Sequence, residues 1–268
     1  MNNNIVIVLT ACVNPNGMSY TMLQDPDVRK LQYIESLHFY LNKTLLPIVF
    51  VENSNTDFSD DFKTWIDKGR LEYITFDGNS QFDKIKGKGY GEAVMLLYAI
   101  EHSVMIHNCK YIIKVTGRLQ VQNINKIANS CCLFLDNVWR SNIERNSVAT
   151  TVFISSPRML RLLLERHKEE ITEEQRGFFW IENVLAKALV SDKDIKLTLM
   201  PFTYPPLFDA LSGTSQSKYI IKETEINTTD NLFYGSELLK LRGDKHYIIM
   251  KFCYYITIFI RKIHACLK

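Results

Sequence analysis

The sequence lacks most of the short signatures that announce a reaction. There is no G-x-S-x-G elbow, which excludes an α/β-hydrolase nucleophile. There is no G-x-x-x-x-G-K-[ST] segment, which excludes a P-loop. His102 and His107 are isolated, and no histidines have metal-ligand spacing. The six cysteines (Cys12, Cys109, Cys131, Cys132, Cys253 and Cys266) form no C-x-x-C pair and are too few for a disulfide framework. They read as thiols of a reducing compartment. No run reaches the roughly 20 apolar residues of a membrane-spanning helix. Met1 is followed by three asparagines and no basic segment, and the apolar run Ile5 to Leu9 is too short for a secretory signal, so a cytoplasmic start is expected. No internal repeat or low-complexity tract is present. The net charge is only +3, and the globular part has no basic face, which argues against a nucleic-acid partner.

What remains is an ordinary globular composition, 46% hydrophobic and 23% charged over 268 residues. A chain of this size buries about three quarters of its unfolded surface and needs no covalent staple. Its first half alternates buried runs with helical spacing. Strands are expected at Ile5 to Leu9, Pro47 to Val51, Leu71 to Phe76 and Tyr111 to Val115. Helices are expected at Asp27 to Leu41, Phe58 to Ile66 and Gly91 to His102. The β-α-β-α-β-α-β order predicts an α/β fold with a mostly parallel sheet and a ligand crevice along the strand C-termini. The second half is less regular. Ile124 to Asn129 reads as a helical turn, Cys131 to Leu135, Val148 to Ile154 and Ile195 to Met200 as strands, and Arg158 to Glu170 and Phe179 to Leu189 as helices. The stretches 201–217 and 222–231 read as loop and polar connector. The expected division is a catalytic domain over 1–220, a connector over 221–240 and a basic amphipathic tail over 241–268.

The strand ends are polar: Thr10-Ala11-Cys12, Glu52-Asn53-Ser54, Asp77-Gly78-Asn79 and Thr116-Gly117-Arg118. Four such ends in succession suit a nucleotide pocket, although each alone is an ordinary turn. Lys86-Gly87-Lys88-Gly89-Tyr90-Gly91-Glu92 combines alternate glycines with two lysines before a helix, which suits a diphosphate or a flexible turn. Lys114 and Thr116 share a strand face. Arg118 either swings into the crevice, where a guanidinium binds phosphate bidentately, or sits on a surface turn. Glu182, behind three aromatics early in a helix, is a candidate general base or simply a charge favoured by the helix dipole. The D-x-D triplets Asp25-Pro26-Asp27 and Asp192-Lys193-Asp194 do not follow buried strands, and no metal site is assigned.

The arrangement from Ile5 to Tyr219 resembles the GT-A-type glycosyltransferases of bacterial capsule and lipopolysaccharide (O-antigen) synthesis. The resemblance rests on Ile5 to Asn14, on Pro47 to Ser54, and on Gly87 to Ser103 followed by Tyr111 to Arg118. Lys114-Val115-Thr116-Gly117-Arg118 stands where that family carries its metal-binding D-x-D. The resemblance implies a nucleotide-sugar donor held by Thr10, Ala11, Glu52, Asn53, Ser54, Lys88, Gly89, Lys114, Thr116, Gly117 and Arg118. It implies Glu182 as an inverting general base, and a glycan or lipid-linked acceptor. No cofactor is required by the sequence, and dependence on magnesium or manganese stays open, since Lys88, Lys114 and Arg118 could neutralise the leaving diphosphate. The expected function is therefore sugar transfer. A sugar nucleotidyltransferase and a non-catalytic membrane-associated scaffold are the alternatives.

The C-terminus changes character. Tyr247 to Ile260 is apolar except for Lys251 and Thr257, and Arg242, Lys245, His246, Arg261, Lys262, His264 and Lys268 flank it. A basic, aromatic-rich helix of this kind suits the membrane interface, which predicts a peripheral position on the inner face of the cell membrane. A last core helix or an oligomer contact is the other reading.

Overall fold

The computed structural model describes residues 4–19, 21–130, 137–138, 141–142, 147–174, 179–192, 199–200, 202–204, 206–211 and 218–220, together with 252, 255–256, 259–260, 262–263 and 266–267. The expected connector 221–240, the strand at Cys131 to Leu135 and most of the tail lie outside them.

The chain opens with strand β1 (Ile5–Ala11), helix α1 (Pro26–Lys43) and strand β2 (Ile48–Glu52). A 3-10 turn (Ser59–Phe62), helix α2 (Lys63–Asp67) and strand β3 (Leu71–Thr75) follow. Then come α3 (Gly87–His102), α4 (Val104–His107), β4 (Tyr111–Thr116) and α5 (Ile124–Ser130). The second half holds β5 (Asn137–Val138), β6 (Ser141–Asn142), β7 (Ser147–Val148), β8 (Val152–Ser155), α6 (Pro157–His167) and α7 (Ile181–Ser191). It ends with β9 (Leu199–Met200), β10 (Asp209–Leu211) and β11 (Lys218–Ile220).

The main sheet has the order β3-β2-β1-β4-β8-β5-β9. β1 pairs in parallel with β2 and β4, and β2 with β3. β8 runs against both β4 and β5, while β5 and β9 are parallel. The fold is thus α/β with a mostly parallel sheet between helices, as the alternating pattern implied. The two helical layers explain the unbroken apolar run of β1. Ile5, Ile7 and Leu9 pack with Tyr33, Leu37 and Tyr40 of α1. Val6 and Val8 pack with Ala93, Leu96 and Ala99 of α3 and with α6 and α7. A strand covered on both faces has no solvent side to mark with polar residues.

Two expectations are revised. Val148 to Ile154 is not one strand: β7 pairs with β6 outside the main sheet, and β8 joins β4. The glycine segment is not a loop ahead of a helix, because α3 begins at Gly87 and contains Gly89 and Gly91.

Local capping sets the helix starts. Asp25 caps α1, accepting from Asp27 N at 2.9 Å and Val28 N at 3.2 Å, with Pro26 in the first turn. Ser156 caps α6 by accepting from Met159 N at 3.3 Å. The first D-x-D triplet is therefore a helix start. In the second, Asp192 pairs with Arg166 at 2.8 Å, and Asp194 lies outside the described residues.

Candidate active-site crevice

Parallel pairing brings the polar strand ends to one level. Thr10 stands opposite Val51 and Thr116, and Ala11 opposite Glu52. An open crevice with a volume of about 220 Å³ lies over these ends. Thr10, Ala11, Cys12, Asn53, Asn79 and Thr116 form its floor. On the α3 side it is lined by Lys88, Gly89, Gly91, Glu92 and Met95, joined by Thr150, Thr151, Ile181 and Glu182. On the α1 side it is lined by Arg29, Tyr33, Arg118 and Leu119. Of the expected site residues, the fold thus gathers Thr10, Ala11, Asn53, Lys88, Gly89, Thr116, Arg118 and Glu182.

Glu52, Ser54, Lys114 and Gly117 do not line it, for separate physical reasons. Glu52 is fully buried. Its carboxylate accepts from Val13 N at 2.9 Å, Thr56 N at 2.9 Å, Ser54 N at 2.9 Å and Thr75 Oγ1 at 3.2 Å, and from the Ser54 hydroxyl. Ser54 Oγ in turn accepts from Asn14 N at 2.9 Å. The nucleotide contacts expected of both are corrected: this pair buckles the ends of β1, β2 and β3 together. Lys114 is also fully buried, in an ion pair with Glu92 of α3, and donates to Thr150 O at 2.6 Å and Thr116 Oγ1 at 3.2 Å. Its expected phosphate role is corrected, since its charge is spent tying β4 to α3. Gly117 is required by close approach. Its N–H donates to Thr10 O at 2.8 Å, and a Cβ there would stand 2.7 Å from the same oxygen.

The loop after β1 closes one end of the crevice through Pro15 and Met18. It turns at Asn16 and Gly17, both in the left-handed region. Its amides are used internally: Cys12 N donates to Tyr33 OH at 3.0 Å, and Asn16 N donates to Asn14 Oδ1 at 3.0 Å. Arg29 is likewise committed, donating to Cys12 O at 2.8 Å and Leu23 O at 3.2 Å.

Among the described residues, two kinds of group keep hydrogen-bonding capacity. Asn79 Nδ2 donates to Asn14 O at 2.9 Å, which orients the amide and leaves Oδ1 without a partner. Asn53 Oδ1 is also unpartnered. Arg118 donates from Nη1 to Gln32 Oε1 at 3.0 Å, and its buried Nε has no partner. Buried polar atoms are seldom left so, and an ordered water, an ion or a ligand would supply the missing partner.

The N-terminus of α3, expected to hold a diphosphate, already holds a carboxyl group of the chain itself. Glu173 Oε1 accepts from Gly89 N at 3.2 Å, and its carboxyl group fills the space a side chain at Gly87 would need. Burial pushes the pKa of Glu173 up from the ordinary carboxylate value, with the helix N–H bonds opposing. Glu182, in the first turn of α7, is raised in the same way by burial and then by the charge of Glu92, while the hydrogen bond from Thr150 Oγ1 at 3.2 Å works against it. Among the described residues no group of three or more His, Cys, Asp or Glu could hold a metal ion.

Sequence reasoning missed Glu92, Thr150 and Glu173. Lys88, Glu92 and Met95 follow helical spacing, so placing the helix start at Gly87 would have put Glu92 on the crevice face. Nothing local marks Thr150 or Glu173, which arrive from the second half of the chain.

No family model matches this chain. No curated protein matches it either. Among solved structures it is similar to a 4-diphosphocytidyl-2C-methyl-D-erythritol synthase from Anaerococcus prevotii (11% identity, 88% of this chain and 97% of the other, TM-score 0.42). It is similar to a cytidylyltransferase from Leptospira borgpetersenii serovar Hardjo-bovis (11% identity, 90% and 98%, TM-score 0.41). It is also similar to the inositol-1-phosphate CTP transferase from T. maritima (14% identity, 91% and 98%, TM-score 0.39). At these values the likeness carries no argument about what this chain does. The expectation of sugar transfer has no counterpart in their names, and it is corrected on this chain's own geometry, in which Lys114, the lysine assigned to the leaving diphosphate, is buried and paired with Glu92. These structures are named for cytidylyl or CTP transfer and not for glycosyl transfer, and nothing in them bears on capsule or lipopolysaccharide synthesis.

Proposed function

We propose that the crevice binds a nucleoside triphosphate and that the chain transfers its nucleotidyl group to a phosphorylated small acceptor such as a sugar phosphate. The observation that carries this reading is the placement of Lys88 and Arg118 on opposite walls of one crevice, with the amides of Asn53 and Asn79 on its floor. Amides suit a base or ribose, and cations suit phosphate oxygens.

In this reaction a phosphate oxygen of the acceptor attacks the α-phosphorus. A new P–O bond forms, the bond to the β-phosphate breaks, and pyrophosphate leaves with the bonding pair. An acceptor phosphate is already anionic at neutral pH, so the work is positioning and charge stabilisation rather than proton removal. Glu182 agrees with this division of labour, because a carboxyl biased toward its neutral form repels an incoming anion less. The backbone of the β1 loop is internally bonded, which leaves the phosphates to side chains.

The test is titration calorimetry with CTP, UTP, ATP and GTP, each with and without magnesium, followed by assay of pyrophosphate release with sugar 1-phosphates. One triphosphate is expected to bind saturably. Arg118→Ala should weaken it by roughly tenfold or more, the value of a charged hydrogen bond to phosphate. Failure of every triphosphate to bind, with or without magnesium, would overturn the proposal and favour a scaffold.

A further inference from the structure

The described residues of the C-terminal stretch are helical at 252, 255, 256, 259, 260, 262, 263 and 266, and Leu267 N donates to Ile263 O at 3.2 Å. Their apolar side chains face solvent. Phe252 and Phe259 are each 65% exposed, Leu267 81%, and Tyr255, Ile256, Ile260 and Ile263 are exposed as well. At 100° per residue these seven positions fall within an arc of about 140°, a single stripe along one side of the helix. Globular packing covers such a stripe with other elements, and here its side chains are left exposed. Among the described residues no helix is long and apolar enough to cross a membrane.

We infer that this stripe is a docking surface for an anionic lipid bilayer, with the helix lying in the plane of the interface. Charge selects the occupant. From Lys245 to Lys268 the sequence holds Lys245, Lys251, Arg261, Lys262 and Lys268 and no Asp or Glu. Lys262 is exposed at the margin of the stripe, next to Tyr255 on the helical wheel. A second copy docked face to face would bring like charges together, with no carboxylate on this stretch to pair them. Anionic headgroups neutralise the same cations while the acyl boundary takes the phenylalanine and isoleucine side chains. The inference does not depend on the reaction assigned to the crevice.

The experiment is flotation of the full chain with vesicles of phosphatidylcholine alone, and of phosphatidylcholine with about one third phosphatidylglycerol. Binding to the anionic vesicles is expected to exceed binding to the neutral ones by about tenfold or more and to weaken with added salt. The double substitution Phe259→Ser with Ile263→Ser should reduce it at least about tenfold. Both side chains are exposed in the free chain, so its melting temperature should not change. Lys262→Glu should lower anionic binding and leave the neutral vesicles unaffected. No binding to anionic vesicles, or binding that survives the serine pair, would overturn the inference. So would a lipid-free dimer, seen by sedimentation, that the serine pair dissociates while the vesicles capture nothing.

Discussion

Glu182 and Glu173 are both held above the ordinary carboxylate range by burial, and the charge of Glu182 contributes to the rise at Glu173. Their consequences differ. If Glu182 removed a proton from an acceptor hydroxyl, Glu182→Gln would cost about 10² or more in turnover. With a phosphate acceptor and no base, the amide should keep turnover within about tenfold, measured as pyrophosphate release. For Glu173 the readout is stability against pH. Between the ordinary value of about 4.3 and its raised folded value, the native chain binds more protons at this group than the unfolded chain does. Its contribution is therefore complete below the ordinary value and is lost as pH rises through the raised one. Glu173→Gln keeps an acceptor for the Gly89 N–H and removes the titration. Thermal unfolding of the variant should thus show a shallower decline from acidic to neutral pH than the parent. An unchanged slope would mean that the group ionises freely in the folded chain.

The tie between β4 and α3 has the character of a buried ion pair. Lys114 was legible as a strand residue on the same face as Thr116, but both faces of β4 are buried, so alternation alone did not show that it points into the protein rather than at a ligand. Its partner was not legible, because Glu92 reaches it only when α3 crosses the sheet. Removing one member of such a pair leaves the other charge stranded, at about 3–5 kcal/mol. Lys114→Met should accordingly lower stability in urea by about that amount, while Lys114→Met combined with Glu92→Gln should recover most of it. Equal losses in the two variants would show that Glu92 is not the partner that matters. The start of α3 was misread for a related reason. Gly87, Gly89 and Gly91 have low helix propensity, yet Gly87 sits at φ 83° against the Glu173 carboxyl, where any side chain would collide. Tertiary contact, not local preference, decides where that helix begins.

Across the whole molecule, the parallel half was readable because each central strand is covered on both sides and so is written as a short apolar block. β1, β2 and β4 emerged at nearly their observed bounds for that reason. The antiparallel insertion of β8 was not readable, since pairing direction leaves no trace in a buried four-residue run. The crevice was readable as a set of strand ends, but which ends face it and which serve as internal fasteners depends on partners remote in sequence. This arrangement predicts a gradient of protection. Amides of β1, β2 and β4 should exchange with solvent only through global opening, and those of the C-terminal helix, whose apolar side is uncovered, much faster. Hydrogen exchange measured by mass spectrometry would contradict this if β1 exchanged as quickly as residues 252–267.

Because Glu52 gathers the ends of three strands with one carboxylate, the sheet side of the crevice is effectively a single part, like a keystone with its adjoining stones. Substitutions that retune ligand choice will be tolerated on the α3 and α7 side at Lys88 and Glu182, which can vary one at a time, but not at Gly89, where a Cβ would stand 3.0 Å from Ile181. On the strand side a change in one end carries the others with it.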